Sequence, residues 1–267
     1  MNLTRVAVLA GAFALVFGCY SAQAGDLFGK RSASSKDLGF RPTLGGSAKW
    51  YGRLDGAVAM HTDPDLREGG VSLTGASYDA TWSVGIGVGR YLTPKLRADL
   101  TYDYRFASDV GGTNNTVAIG SGGRDFELSG HLLLANLYYD FNRGGRFNPY
   151  LGFGLGVASH DVEGGTDAAS GVSVGSGDEW NFAAALMAGM TLKFGGNHVI
   201  RGSVKDGSMH MARSPQLYLD LGYRYLYLGS AETGVVSTAA NNVIAGSIAV
   251  DDLHAHEFRF GLRYDLP

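Results

Sequence analysis

Between Leu96 and Phe106 the chain alternates without a break. Leu96, Ala98, Leu100, Tyr102, Tyr104 and Phe106 are apolar or aromatic, and Arg97, Asp99, Thr101, Asp103 and Arg105 between them are polar or charged. A period of two belongs to a β-strand with unlike faces. About 9–11 tilted residues also suffice for a strand to cross a bilayer. The aromatics gather toward one end of the apolar face, where a membrane–water interface favours amphipathic rings. One such strand suits a soluble β-sandwich equally well, so recurrence decides between the two.

The pattern recurs along the whole chain. Ala48–His61 sets Trp50, Leu54, Val58 and Met60 against Arg53 and Asp55, and Tyr78–Tyr91 alternates Trp82, Val84, Ile86 and Val88 with Ser83, Gly85, Gly87 and Gly89. Phe126–Phe141 puts Leu133, Ala135, Leu137, Tyr139 and Phe141 opposite Asn136 and Asp140. In Pro149–His160, Leu151, Phe153, Leu155 and Val157 face away from Gly152, Gly154 and Gly156. Glu179–Phe194 carries an apolar row from Trp180 to Phe194, and Gln216–Gly229 sets Leu217, Leu219, Leu221, Tyr223, Tyr225 and Tyr227 against Asp220 and Arg224. Leu253–Leu266 closes the series, with Phe258, Phe260, Leu262 and Tyr264 against Glu257, Arg259, Arg263 and Asp265.

The joins carry separate information. His61–Ser77, Ala107–Asp125, Asp161–Asp178 and Ser230–Asp252 are long, polar loops. Thr93-Pro94-Lys95 and Asn142–Asn148 are tight turns, and 195–214 is an extended third turn. Long loops on one side, short turns on the other and an even strand count describe an outer-membrane barrel; a sandwich predicts no such parity. The pattern therefore predicts an all-β fold over 48–267, an eight-stranded antiparallel up-and-down transmembrane β-barrel with both termini periplasmic.

Composition adds limits. With 14 Tyr and 13 Phe in 267 residues, the chain is too aromatic to be disordered, and a net charge of −3 leaves no footprint for nucleic acid. Arg5, the apolar run Val6–Phe17 and Ala22-Gln23-Ala24 read as a signal peptide over 1–24, too short to span a membrane. Cleavage after Ala24 removes Arg5 as the only charge, giving −4, and removes Cys19, the only cysteine. A lipoprotein box at Val16–Cys19 is the rival reading, and bulky Phe17 fits it poorly. An exported chain without cysteine suits a Gram-negative outer membrane and argues against a disulfide scaffold. Residues 25–47 show no period and read as a periplasmic lead-in.

Eight strands leave an interior just wide enough for side chains. Arg53, Arg97, Asp99, Asp103, Arg105, Asp220, Arg224, Glu257, Arg259 and Arg263 are the expected filling. Both signs are present, so the charges can pair, as burial demands. The glycine columns at 85–89 and 152–156 are expected to make room for long arginines or ease curvature. Arginine at Leu100 is expected to cost about 2–4 kcal/mol near midplane, and arginine at Thr101, on the lumen face, less.

Candidate chemistry is sparse. Glu127, Ser129 and His131 share the lipid-side face near the outer end of the fourth strand, a spacing that suits an outer-leaflet lipid A hydrolase or merely a polar rim. His254 and His256 share a face beside Asp251-Asp252, two metal ligands where three or four are usual. Asp161 and Glu163, following His160, read as a solvated loop, and Met209-His210-Met211 offers soft ligands in a surface turn. The Gly-x-Gly-x-Gly runs lack the following helix of a dinucleotide site. No catalytic, cofactor or metal residue is assigned from the sequence.

The exported alternating pattern, Leu134–Phe141 (LANLYYDF), Leu221–Tyr225 (LGYRY) and Phe258–Leu266 (FRFGLRYDL) together resemble the OmpA-like and opacity-protein-like small outer-membrane barrels. The last segment resembles the terminal signal read by the barrel-assembly machinery, with Phe260, Leu262 and Tyr264 at its apolar positions; the chain departs from it in ending Leu266-Pro267. The resemblance implies envelope integrity, surface contact or antigenicity, with lipid and lipopolysaccharide around the barrel, an extracellular partner at the loops, and no shared catalytic set. A narrow porin or conduit for small apolar ligands is the alternative.

Overall fold

The computed structural model describes residues 50–62, 65–115, 121–167, 171–194, 216–238 and 243–266. The expected signal peptide with Cys19, the lead-in, the 195–214 turn and Met209-His210-Met211 lie outside them. Eight strands form the wall: β1 (Trp50–His61), β2 (Thr81–Tyr91), β3 (Leu96–Asn114), β4 (Gly122–Asp140), β5 (Phe147–Gly164), β6 (Gly177–Phe194), β7 (Leu217–Tyr227) and β8 (His254–Asp265). Each pairs antiparallel with the next, and β1 pairs with β8, Tyr51 opposite Asp265 and His61 opposite Ala255, which closes the ring. Closure leaves no edge in the bilayer, where an unpaired backbone group has no water to turn to.

The faces follow the expected parity. Leu54, Trp82, Ile86, Leu186 and Phe258 are more than half exposed on the outer wall, whereas all ten expected lumen residues are buried. An isolated barrel with a wet apolar skin and dry ions is inside-out for water and correct for lipid.

Four strands, β3 to β6, are longer than the sequence pattern suggests. β3 continues past Phe106 to Asn114, paired with the lengthened start of β4. The register slips between Arg105 and Ser108; such a bulge inserts a residue and changes which parity faces in. Below it Arg97, Asp99, Thr101, Asp103 and Arg105 are buried, and above it Val110 and Asn114.

On β4 the faces trade character without a bulge. The inner row runs Asp140, Tyr138, Asn136, then Leu134, Leu132, Leu128 and Phe126. The outer row runs from Tyr139, Leu137, Ala135 and Leu133 to His131, Ser129, Glu127 and Asp125. The lumen thus turns from polar to apolar where the wall turns from apolar to polar, and the three consecutive leucines 132–134 mark the crossing.

The loops expected to be polar and irregular instead build the upper storey. Thr74–Tyr78 pairs with the β3 extension. Ala231–Glu232, Ile248–Asp251, Asp65–Glu68 and Val71–Ser72 form one small sheet, and Val243–Ala245, Val236–Thr238, Val172–Val174 and Thr166–Asp167 another. Leu66, Leu73, Val110, Phe126, Leu128, Val162, Val172, Val174, Val236, Ile248 and Val250 are buried together there, in one cluster continuous with Leu132, Leu134, Leu226 and Leu228. The loops escape a hydropathy reading because their apolar residues come singly among Gly, Ser and Asp, on strands of two to five residues.

Candidate functional site

The lumen and its roof are the chemically distinctive part of the molecule. At the turn end Asp265 accepts hydrogen bonds from Tyr91 (2.9 Å) and Tyr218 (3.3 Å). Arg263 donates to Asp220 (3.3 Å) and Thr191 (3.2 Å). Its Nε and Nη1 have no hydrogen-bond partner among the described residues, and the rings of Tyr51, Tyr91 and Tyr218, with centroids at 5.3, 5.9 and 4.9 Å, take their place.

One layer up, Arg97 pairs with Asp140 (3.2 Å) and lies 3.8 Å from the Tyr138 ring centroid. Asp99 accepts from Tyr51 (3.0 Å), Arg53 (2.8 Å) and Asn136 (2.8 Å). Arg53 also forks onto Asp55, with both contacts at 2.7 Å. Such bidentate bonds are the strong, directional form of an ion pair.

Above these, Arg224 bridges Asp103 (2.7 Å) and Glu257 (2.5 Å). Glu257 also accepts from Arg105, whose other nitrogen lies 2.9 Å from His61 Nε2. Arg259 stands 3.5 Å from both Asp55 and Asp103. Six lumen arginines thus meet six buried carboxylates, Asp55, Asp99, Asp103, Asp140, Asp220 and Glu257, while the seventh, Asp265, is held by tyrosines. A void between Arg53, Asp55, Tyr138, Tyr150 and Arg259 measures about 10 Å³, room for one water.

The glycine columns serve close approach, but mostly not to arginine. A Cβ at Gly85 would sit 1.9 Å from Asp103 Oδ1, at Gly89 2.3 Å from the Tyr51 ring, and at Gly154 2.2 Å from Asn136 Oδ1. Only Gly87, against Arg53 Cγ at 2.9 Å, makes the room expected for an arginine. Packing this tight corrects a second expectation. Thr101 is 1% exposed, accepts a hydrogen bond from Asn136 and lies against Gly87. Arginine there meets a full lumen, so it is not the milder substitution.

In the roof, Glu68 and Arg124 are fully buried and joined by two hydrogen bonds, 2.9 and 3.2 Å, and Asn114 donates to the same carboxylate at 2.7 Å. This ties the Asp65–Glu68 strand to the β3–β4 extension. Above the crossing the outer wall turns acidic: Asp109 is opposite Glu127, Glu127 opposite Glu163, and Asp161 opposite Asp178.

The remaining candidates resolve individually. Ser129 and His131 share the outer face of β4 as expected, but they do not form a nucleophile–base pair among the described residues. His131 Nδ1 meets the Tyr102 hydroxyl at 2.7 Å and its Nε2 faces Asp161 at 3.6 Å, while the Ser129 hydroxyl donates to the Asp161 carbonyl at 3.5 Å. Asp161 and Glu163 lie on β5 rather than in a loop, and His160, on the strand as expected, is buried with Nε2 3.0 Å from the Leu228 carbonyl. His254 and His256 are on the outer face of β8, against Tyr225 and Tyr223. Sequence reasoning missed the inner tyrosines Tyr51, Tyr91, Tyr138, Tyr150 and Tyr218; their parity with Arg53, Asn136 and Asp220 was the available signal.

Relatives exist. An uncharacterized protein of Brucella abortus is 32% identical over 219 residues, covering 72% of this chain and 68% of that protein, and an uncharacterized protein of Brucella melitensis matches equally. Among solved structures, Neisserial surface protein A is similar at 19% identity and TM-score 0.43, covering 83% of this chain and all of that one. The outer membrane protein OprG of Pseudomonas aeruginosa is similar at 16% identity and TM-score 0.48, covering 81% and 96%. The model of the outer membrane protein beta-barrel domain matches residues 10–265. With its closed ring of eight strands, ionic lumen and apolar wall, the chain belongs to the outer membrane protein beta-barrel domain family, and its place is the outer membrane.

Proposed function

We infer that this barrel is a closed anchor that holds a folded module at the cell surface, serving envelope integrity and surface interaction rather than solute passage. The supporting observation is the lumen: paired charges fill it and an apolar plug of Leu132, Leu134, Leu226 and Leu228 roofs them. A water-filled pore needs a wider ring of about 16–18 strands. In this reading both termini are periplasmic, residues 1–24 are removed on export and 25–47 lead into the wall. Lipid and lipopolysaccharide contact the outer face, the barrel-assembly machinery reads Phe258–Leu266, and the upper storey meets a partner outside the cell.

Two measurements test this. The purified protein in planar bilayers gives no steady conductance; stable, reproducible channels overturn the anchor in favour of the narrow conduit. Deleting residues 236–245 while the barrel still assembles abolishes cell-surface binding. Unchanged surface binding and an unchanged detergent sensitivity of the envelope, measured against a strain lacking the protein, refute both roles.

A further inference from the structure

His254 and His256 stand two residues apart on β8 and point outward. On a strand that spacing places the two Cα atoms about 6.6–6.8 Å apart on one face, within reach of one ion. Met60 on β1 lies directly opposite His256 in the register and is more than half exposed. Cross-strand partners hold their Cβ atoms about 4.5–5.5 Å apart. Two imidazoles and a thioether therefore share one patch of wall at the loop end.

The phenols beside them supply an independent observation. Tyr225 OH lies 2.9 Å from His254 Nδ1, and Tyr223 OH lies 2.6 Å from His256 Nδ1. In the tautomer that gives Nδ1–H to the phenol oxygen, each ring keeps its lone pair on Nε2, the arrangement that orients metal-binding imidazoles. The other described histidines have Nε2 occupied: His61 by Arg105 at 2.9 Å, His160 by the Leu228 carbonyl at 3.0 Å, and His131 facing Asp161 at 3.6 Å. His254 and His256 alone among them leave Nε2 without a protein partner, and they are neighbours.

We propose that His254, His256 and Met60 form a surface site for a soft transition-metal ion, copper foremost. Imidazole suits copper and zinc, the thioether selects Cu(I), and for a given nitrogen site Cu(II) binds more tightly than Zn(II) or Ni(II). The remaining coordination positions face outward, open to water or to a ligand from outside the cell.

The test uses the full chain refolded in detergent and titrated with Cu(II) by calorimetry and electron paramagnetic resonance. Wild type takes up an equivalent of copper whose spectrum shows two coupled nitrogens, and the H254Q/H256Q double variant loses it. Tyr223→Phe and Tyr225→Phe weaken binding by about 10–100-fold, the usual effect of removing an orienting partner. Met60→Leu leaves Cu(II) nearly untouched and weakens Cu(I), measured by competition with a chelator. Copper-induced broadening of the imidazole NMR signals needs no variant: His254 and His256 broaden first, His61 and His160 last. Equal copper uptake by wild type and the double variant overturns the proposal, as does broadening that spares these two rings.

Discussion

Glu257 is the carboxylate on which the lumen's charge balance most depends, and Glu257→Gln tests whether the network is dry. Glu257 has no exposed surface and accepts from both Arg224 and Arg105. Removing one member of a buried pair costs about 3–5 kcal/mol, because the surviving charge stays buried without its partner. Glutamine keeps the shape and one acceptor, Arg224 keeps Asp103 at 2.7 Å, and Arg105 keeps His61. The loss therefore falls at the lower end, about 3 kcal/mol. Adding Arg105→Met removes the cation that Glu257→Gln leaves without a carboxylate, since its other contact is His61. Apolar replacement of a whole buried pair is often neutral or stabilising, so the double variant regains at least half of the loss. Urea titration of folding into lipid vesicles reads this out, through the mobility of unboiled protein on gels and the fluorescence of Trp82 and Trp180, both on the outer wall. A cost under about 1 kcal/mol for Glu257→Gln, with no recovery in the double variant, would mean that water solvates these groups and the lumen is not filled.

Other substitutions probe the remaining surfaces. Leu100→Arg places a charge in lipid at about 2–4 kcal/mol; Thr101→Arg overpacks the lumen at about 1–3 kcal/mol and adds an unpaired charge on top. The same titration should then rank Thr101→Arg at least as damaging, and a clearly milder effect would show spare room in the barrel. Gly222→Val costs about 1–3 kcal/mol, since its Cβ would stand 2.5 Å from the Tyr150 hydroxyl; Tyr150→Phe in the same chain should recover part of that. Glu68→Gln loosens the roof while sparing the wall, so trypsin cuts at exposed Arg67 faster and the membrane-embedded fragment still survives. Equal cutting rates would remove the Glu68–Arg124 pair from any role in holding the loops.

The wall was legible in the sequence because its signal is local. Every residue of Leu96–Phe106 falls on the face its chemistry demands, and the ten charged residues assigned to the lumen are in it. What escaped is non-local or ambiguous. Tyr138 and Tyr139 are adjacent and chemically equal, yet one lies over Arg97 and the other faces lipid; only parity separates them. The bulge beyond Arg105 shifts that parity in a stretch too rich in Gly, Ala and Ser to announce it. The partnership of Glu68 with Arg124 spans 56 residues, so neither residue's neighbours reveal it. The Tyr223–His256 and Tyr225–His254 contacts cross strands and appear only once the register of β7 and β8 is known.

β4 carries the physical logic of the molecule on one strand. Below Leu133 its outer face meets hydrocarbon, so its outer side chains are apolar and its inner ones are free to be Asn136, Tyr138 and Asp140. Ions in that interior are tolerable because all but Asp265, which takes two tyrosine hydroxyls, find a counterion, and a low dielectric strengthens the pairing it demands. Above His131 the environment outside the ring becomes water, and the ordinary rule returns, with Phe126 and Leu128 inside and Glu127 and Asp125 outside. No second domain or linker is needed; the same alternation simply changes which face is greasy. Because the β4–β5 ladder runs without a register shift through the crossing, the upper storey is a direct continuation of the wall. Among the described residues the loops present short strands backed by the buried cluster, and recognition of strands already paired would avoid part of the cost of ordering them on binding.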